Sequence, residues 1–179
     1  MTKPTATSGT VVTAADSAMA AMPGMAKAPM VAMTGSADHD FLRMMTDHHK
    51  GLIALVHPTI EHHGSAAAVR AEARQLDKKQ DAEVVTLSAI LSHDFNDSYV
   101  PHVGPDDQAI ADSLARVSGS VYDRTFYAMV IRHHQRALSM IDEFMPKLTG
   151  TDLRRMAQQM KTDQAKEIAD FERKLGMLH

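Results

Sequence analysis

The chain has 179 residues, 44% of them hydrophobic, and a formal net charge of −3 at pH 7. This length fits one domain with a sizeable apolar core. The slightly acidic balance provides no basic surface for a phosphate backbone, which argues against a nucleic-acid partner. No apolar run approaches the roughly 20 residues that a membrane-spanning helix needs, so no membrane span is predicted.

The composition is unusual in its possible metal ligands. There are 14 methionines and 11 histidines but no cysteine. The lack of cysteine excludes disulfides and thiolate sites, so any metal would be bound by imidazole, thioether and carboxylate groups. The sequence therefore directs attention to histidine and methionine.

Residues 1–36 are predicted to form a flexible, Met-rich tail, because they are rich in small residues and proline and carry few charges. The stretch "MAAMPGM" places Met19, Met22 and Met25 at three-residue intervals. Such thioethers can wrap a soft cation such as Cu(I), but an Ala/Met-rich linker without a ligand explains them equally well. The opening "MTKPTATSG" is typical of a linker left after removal of an export segment.

Helical periodicity then predicts two helical hairpins, over residues 38–94 and 121–177, joined by a crossover at 95–120 with a short helix in "DDQAIADSLARV". The first helix is expected to stop near Pro58 or at the following glycine. Ser65 and Thr151 are predicted to be the N-caps of the second and fourth long helices.

The second hairpin repeats the residue pattern of the first. Aligning His48-His49 with His133-His134 also aligns other matching residues: Asp38 with Asp123, Phe41 with Phe126, Met44 with Met129 and, after a one-residue gap, Ala73 with Ala157, Gln80 with Gln164 and Glu83 with Glu167. Residues 37–179 are therefore predicted to form an all-α, ferritin-like four-helix bundle from two repeated hairpins with a long crossover.

Polar residues interrupt the apolar stripe near the middle of each long helix. They are His48 and His133 on the first and third helices, and Gln80, Glu83, Gln164 and Glu167 on the second and fourth. Because the midpoints of antiparallel helices share a level, one polar layer is expected across the core. Its groups must be satisfied, either by hydrogen bonds among themselves or by a metal, and the residues leave both solutions open.

Three methionines stand close to the histidine pairs along the helices. Met44 and Met129 precede His48 and His133 by four residues, and Met140 lies two turns beyond His133. Thioether beside imidazole is typical of copper sites, although methionine is also a common filler of helical cores. Adjacent histidines project about 100° apart, so one is expected to ligate while the other orients.

The segments "DHDFLRMMTDHH" and "YDRTFYAMVIRHH", followed by "QDAEV" and "QAKEI", resemble the bacterial family called domain of unknown function 305. The resemblance covers Asp38 to Leu175 in two copies. It implies a ferritin-like fold, an exported or lipid-anchored protein and a link to copper binding or resistance. It assigns the family's metal positions to His48, His49, His133, His134, Met44, Met129 and Met140. Leu55 stands where the second copy has Met140, which implies a poorer thioether set in the first half.

The leading hypothesis is an exported protein, periplasmic, cell-envelope or secreted, that binds copper for sequestration, resistance or transfer without catalysis. Zinc and iron are also compatible with these donors. A copper-transfer protein partner and a homo-oligomer are both compatible with this interpretation. The candidate metal ligands are His48, His49, His133, His134, Met44, Met129, Met140, Met45, Glu83 and Glu167.

Two other functions remain open. A ferritin-like redox enzyme would use Glu83, Glu167 and the histidines for a two-metal centre, but such centres usually contain a Glu-x-x-His motif. Here Thr86 and Asp170 stand at the histidine position of that motif. Alternatively, the protein is a structural or interaction module whose polar layer only fixes the register of the helices.

Overall fold

The computed structural model describes residues 33–62 and 64–178, so the predicted methionine motif at 19–25 lies outside the described residues. The described part contains five helices and no strand: α1 Ala37–Ile60, α2 Ala67–Phe95, α3 Pro105–Leu114, α4 Gly119–Phe144 and α5 Thr151–Met177. Helix α1 packs along α2, α4 packs along α5, and the hairpins meet through α1 and α4. The predicted all-α bundle of two hairpins with a long crossover is confirmed. Within these ranges no helix has the length and apolar character required to cross a bilayer.

The helix ends differ from the predicted ones. Helix α1 runs through Pro58 and ends at Ile60, between the two predicted stops. The N-cap of α2 is Ala66, and the hydroxyl of Ser65 instead donates to the carbonyl of His62. Thr151 is already the first residue of α5 and makes no side-chain cap. The predicted caps Ser65 and Thr151 are therefore wrong.

Aspartates from the opposite hairpin supply the missing caps. Asp38 of α1 accepts hydrogen bonds from the Thr149 N–H (2.8 Å), the Thr149 hydroxyl (2.7 Å) and the Gly150 N–H (2.9 Å), just before α5. Asp123 of α4 accepts the Ala66 N–H at 3.1 Å, just before α2. Each hairpin thus satisfies backbone donors at the start of the other hairpin's second helix.

Two apolar clusters fill the bundle, one at each end. The first joins the C-terminal half of α1 to the N-terminal half of α4 and includes Leu55, Phe126 and Met129. The second joins the N-terminal half of α1 to the C-terminal half of α4 and includes Phe41, Met45 and Phe144. Helices α1 and α4 therefore run antiparallel, and the middle of the bundle lies between the clusters.

Candidate functional site

The predicted polar layer is present between the two apolar clusters. The four histidines are buried, His48 with 6% of its surface exposed and His49, His133 and His134 with 1% or less. Gln80 and Gln164 are buried beside them, and Glu83 and Glu167 reach the layer from α2 and α5. The helix midpoints do share one level, as the sequence indicates.

The centre of the layer is a stacked pair of histidines. The rings of His48 on α1 and His133 on α4 lie with centroids 3.8 Å apart and planes inclined by 25°. Burial, together with the positive charge of neighbouring groups, lowers the pKa of both rings well below its usual range. Both imidazoles are therefore neutral at neutral pH, and each has a nitrogen lone pair available to a metal.

Several nitrogens of the layer have no hydrogen-bond partner among the described residues. They are His48 Nε2, His133 Nδ1, His133 Nε2 and His134 Nδ1. An unsatisfied buried polar atom costs about 1–3 kcal/mol, so an occupant that accepts these lone pairs would stabilise the layer. The protein's own carboxylates and amides thus satisfy only part of the layer.

His49 is fully engaged by hydrogen bonds. Its Nδ1 lies 2.7 Å from the Met45 carbonyl oxygen, and its Nε2 lies 2.8 Å from Glu83 Oε2. A carbonyl and a carboxylate oxygen are both acceptors, so neither ring nitrogen of His49 can offer a lone pair without losing one of these contacts. Gln80 Nε2 also donates to Glu83 Oε2, at 3.4 Å.

His134 is engaged on one side only. Its Nε2 lies 2.8 Å from Glu167 Oε2, and the other oxygen of Glu167 accepts from Lys79 Nζ at 2.5 Å. Burial opposes ionisation of Glu167, but the hydrogen bonds from His134 and Lys79 lower the pKa of this carboxyl. Glu167 is thus a carboxylate that takes the Nε2–H of His134 and leaves the Nδ1 lone pair free.

The predicted methionine ligands lie at opposite ends of the layer. Met129 is buried in the cluster that contains Leu55, whereas Met44 and Met140 pack, partly buried, against the cluster that contains Met45. Met129 and Met140 thus lie on either side of the layer, because α4 crosses the layer between them. The fuller thioether set, Met44 and Met140 beside Met45, lies at the end where α1 begins.

Asp107 on α3 is a layer residue that the sequence did not reveal. This buried carboxylate lies 3.1 Å from Arg136 Nη1 and 3.9 Å from His133 Nε2. A Cβ at Gly51 of α1 would clash with its carboxyl group, so glycine makes room for it there. Burial, the dominant effect, raises the pKa of Asp107 in spite of Arg136. The sequence feature that could have indicated Asp107 is Gly51, which stands where the second hairpin has Arg136.

The loop between α2 and α3 is fixed next to His48. Asp47 accepts the Tyr99 hydroxyl at 2.5 Å and the backbone N–H of His102 at 3.0 Å. These bonds attach the crossover to α1 one residue before His48.

The donor atoms suit a soft or borderline cation. No group of three or more His, Asp or Glu residues in ranges 33–62 and 64–178 is arranged as a complete metal site. The layer instead has unpaired imidazole nitrogens, with thioethers one turn away along α1 and α4. Imidazole and thioether favour copper over hard cations such as Mg²⁺ and Ca²⁺.

The sequence matches the family described as "Domain of unknown function (DUF305)" over residues 1–91 and 100–175. The chain belongs to this family. None of the curated proteins matches the sequence.

Solved structures share the fold of this DUF305 protein. The crystal structure of a DUF305 fragment from Deinococcus radiodurans has 24% identity and a TM-score of 0.69, covering 79% of this chain and 97% of the other. CopM in its Cu(II)-bound form has 21% identity and a TM-score of 0.65, with the same coverage. CopM in its Ag-bound form, obtained by co-crystallization, has 20% identity and a TM-score of 0.63, covering 76% and 93%. At these identities the similarity establishes the fold.

Proposed function

We propose that this protein binds copper in its central polar layer and sequesters or transfers the metal without catalysing a reaction. The observation that carries the proposal is the stacked pair of His48 and His133, two buried neutral imidazoles. Within the described ranges, Nε2 of His48 and both ring nitrogens of His133 have no hydrogen-bond partner. Each neutral ring has one nitrogen without a proton, and that nitrogen binds copper without first losing a proton or a hydrogen bond.

The surrounding residues would complete the site in different ways. Met44 and Met129 lie one helical turn before the stacked histidines, while Met45 and Met140 belong to the end that also holds Met44. Glu83 and Glu167 accept hydrogen bonds from His49 and His134, which suits carboxylates that orient imidazoles better than carboxylates that bind the metal themselves.

The fold neighbours support the choice of metal. CopM has the same fold and is described in a Cu(II)-bound and an Ag-bound form. Ag(I) is a soft monovalent cation like Cu(I), and both favour sulfur and imidazole donors. We extend the proposal to an exported protein, as the family resemblance implies, and further propose that it hands copper to a protein partner.

The geometry offers less to a two-metal redox centre. Such centres usually draw on four carboxylates that converge between the helices. Here Glu83 and Glu167 belong to different hairpins, and each is already hydrogen-bonded to its own histidine. Lys79 further neutralises Glu167.

Metal titration of the full chain tests the proposal. We expect Cu(I) and Cu(II) to bind more tightly than about 1 µM, and the variant His48→Gln/His133→Gln to lose this binding. His93→Gln is the matched control, because the side chain of His93 is 89% exposed. A variant with Met19, Met22 and Met25 changed to Leu distinguishes binding in the polar layer from binding by the N-terminal methionines. Undiminished binding in a folded double histidine variant would refute the proposal.

A further inference from the structure

We infer that, of the two histidines that follow the stacked pair, His134 ligates copper and His49 does not. The inference rests on the proposed function and assigns different roles to two residues that the sequence alignment treats as equivalent. In the described part of the chain, His134 keeps Nδ1 unpartnered, whereas both nitrogens of His49 are occupied.

Ligation by His49 would break a hydrogen bond that the fold already makes. A metal at Nδ1 would displace the contact with the Met45 carbonyl, and a metal at Nε2 would displace the contact with Glu83. Either change leaves a buried acceptor unpaired, which costs about 1–3 kcal/mol. His49 is thus a poor ligand although it is completely buried.

His134 already has the arrangement that metal-bound histidines require. In metal sites, a histidine typically donates its second ring N–H to a carboxylate, which fixes the tautomer and increases the basicity of the ligating nitrogen. The Nε2–H of His134 points at Glu167 Oε2, 2.8 Å away, so the lone pair is on Nδ1. No bond of this histidine has to break when a metal binds.

Lys79 makes the surroundings of His134 different from those of His49. Its Nζ donates to Glu167 Oε1 at 2.5 Å, which keeps Glu167 Oε2 directed at His134. The sequence alignment places Asp163 opposite Lys79, so a carboxylate occupies the position that would give Glu83 the same support. The orienting ion pair therefore exists for only one of the two histidines.

The His134 side also borders a cleft through which a cation can approach. A cleft of about 240 Å³ between α2 and α5 is lined by charged and aromatic side chains, namely Glu72, Lys79, Glu167, Asp170, Phe171 and Lys174, with Gln75 and Leu76. Glu167 belongs both to this cleft and to the His134 hydrogen bond. Its carboxylate thus connects the surface to the ring.

Titration of the full chain with Cu(I), in parallel with the matched variants His134→Gln and His49→Gln, tests the inference. We expect His134→Gln to weaken binding about 10- to 100-fold and His49→Gln to change it by less than about threefold. Equal losses in the two variants would overturn the inference while the proposed function stands. If His48→Gln/His133→Gln also binds as tightly as the unaltered chain, the proposed function itself fails.

Nitrogen NMR of the unaltered protein decides the matter even if one variant does not fold. With ¹⁵N-labelled histidine and the diamagnetic Ag(I) ion, the signal of His134 Nδ1 should shift on addition of metal, while the signals of both nitrogens of His49 stay unchanged. A shift at His49, or an unchanged His134 in protein that binds Ag(I), would contradict the assignment.

Discussion

The two hairpins bring matching histidine–glutamate pairs to one layer, yet the pairs differ in how they share protons. Both ring nitrogens of His49 contact acceptors, whereas His134 donates from one and keeps the other lone pair free. The difference lies at Nδ1, which in His49 is 2.7 Å from the Met45 carbonyl oxygen and in His134 has no partner within residues 33–62 and 64–178. In addition, Lys79 supports Glu167 and has Asp163 as its counterpart. Identical ligand-type residues therefore do not make equivalent sites, because their neighbours set the tautomer.

The hairpins also differ in the residue that each places next to Asp107 of α3. Asp107 enters the layer over Gly51 of the first hairpin and pairs with Arg136 of the second. These two positions are equivalent in the sequence alignment, so one small and one charged residue together accommodate a single carboxylate. Asp107 thus attaches the crossover to both hairpins.

The largest expected effect comes from filling the space over Gly51. Gly51→Ala should destabilise the protein by about 1–3 kcal/mol, because the new methyl group displaces the buried Asp107 carboxyl. Urea unfolding measures this. Gly176→Ala in α5 is the control, since nothing lies within 4 Å of a Cβ there, and it should be neutral or stabilising by up to about 1 kcal/mol. Equal behaviour of the two variants would show that Asp107 is not held over α1.

Removing the reciprocal caps should come next in size. Asp38→Ala and Asp123→Ala should each cost about 1–2 kcal/mol, with the larger loss at Asp38, which accepts three hydrogen bonds. The sites lie at opposite ends of the bundle, so the double variant should show the sum within about 0.5 kcal/mol. A strongly non-additive result would indicate that the two ends are coupled through the layer.

Neutralising Lys79 should bring the two histidine–glutamate pairs closer in behaviour. Lys79→Gln is expected to weaken copper binding about tenfold, or about 1.4 kcal/mol, because Glu167 is then less firmly directed at His134. Lys79→Arg should restore most of the affinity. Lys147→Gln is the control, since that lysine forms an exposed pair with Glu143 on α4. An unchanged affinity in Lys79→Gln would remove the orienting role of the ion pair.

The smallest effect concerns pH. Burial of Asp38 raises the pKa of its carboxyl group. Hydrogen bonds from Thr149 and Gly150 outweigh burial and lower this pKa below its ordinary value of 3.8. Its ionised form therefore stabilises the fold at all pH values above about 3.8, and this contribution is lost as the pH falls through the lower folded-state value. Asp38→Asn should be less stable than the unaltered chain by up to about 1 kcal/mol at pH 7, and the gap should close below pH 3. A gap that persists in acid would show that charge is not involved.

Helical periodicity was sufficient to predict the long helices and the level of the polar layer. Apolar residues at helical spacing mark the core face, and polar interruptions near each midpoint coincide because the helices are antiparallel. His48, His133, Gln80 and Gln164 are accordingly buried in one layer. These are consequences of local pattern and helix length alone.

The partners within the layer depend on three-dimensional proximity that a pattern does not contain. The caps predicted at Ser65 and Thr151 are local, whereas the observed ones come from Asp123 and Asp38 on the other hairpin. Asp107 was missed because it lies among several acidic residues in the crossover, and only its contact with Gly51 distinguishes it.

The reciprocal caps have a consequence for how such a chain assembles. A hairpin by itself would have a carboxylate at the start of its first helix and unpaired N–H groups at the start of its second. The carboxylate bonds to N–H groups of the other hairpin, and the N–H groups bond to the other hairpin's carboxylate. Two separate hairpins would have to associate by diffusion, and dilution would weaken that association. Joined by one crossover, they meet at a fixed effective concentration of millimolar order, so the bundle closes independently of dilution.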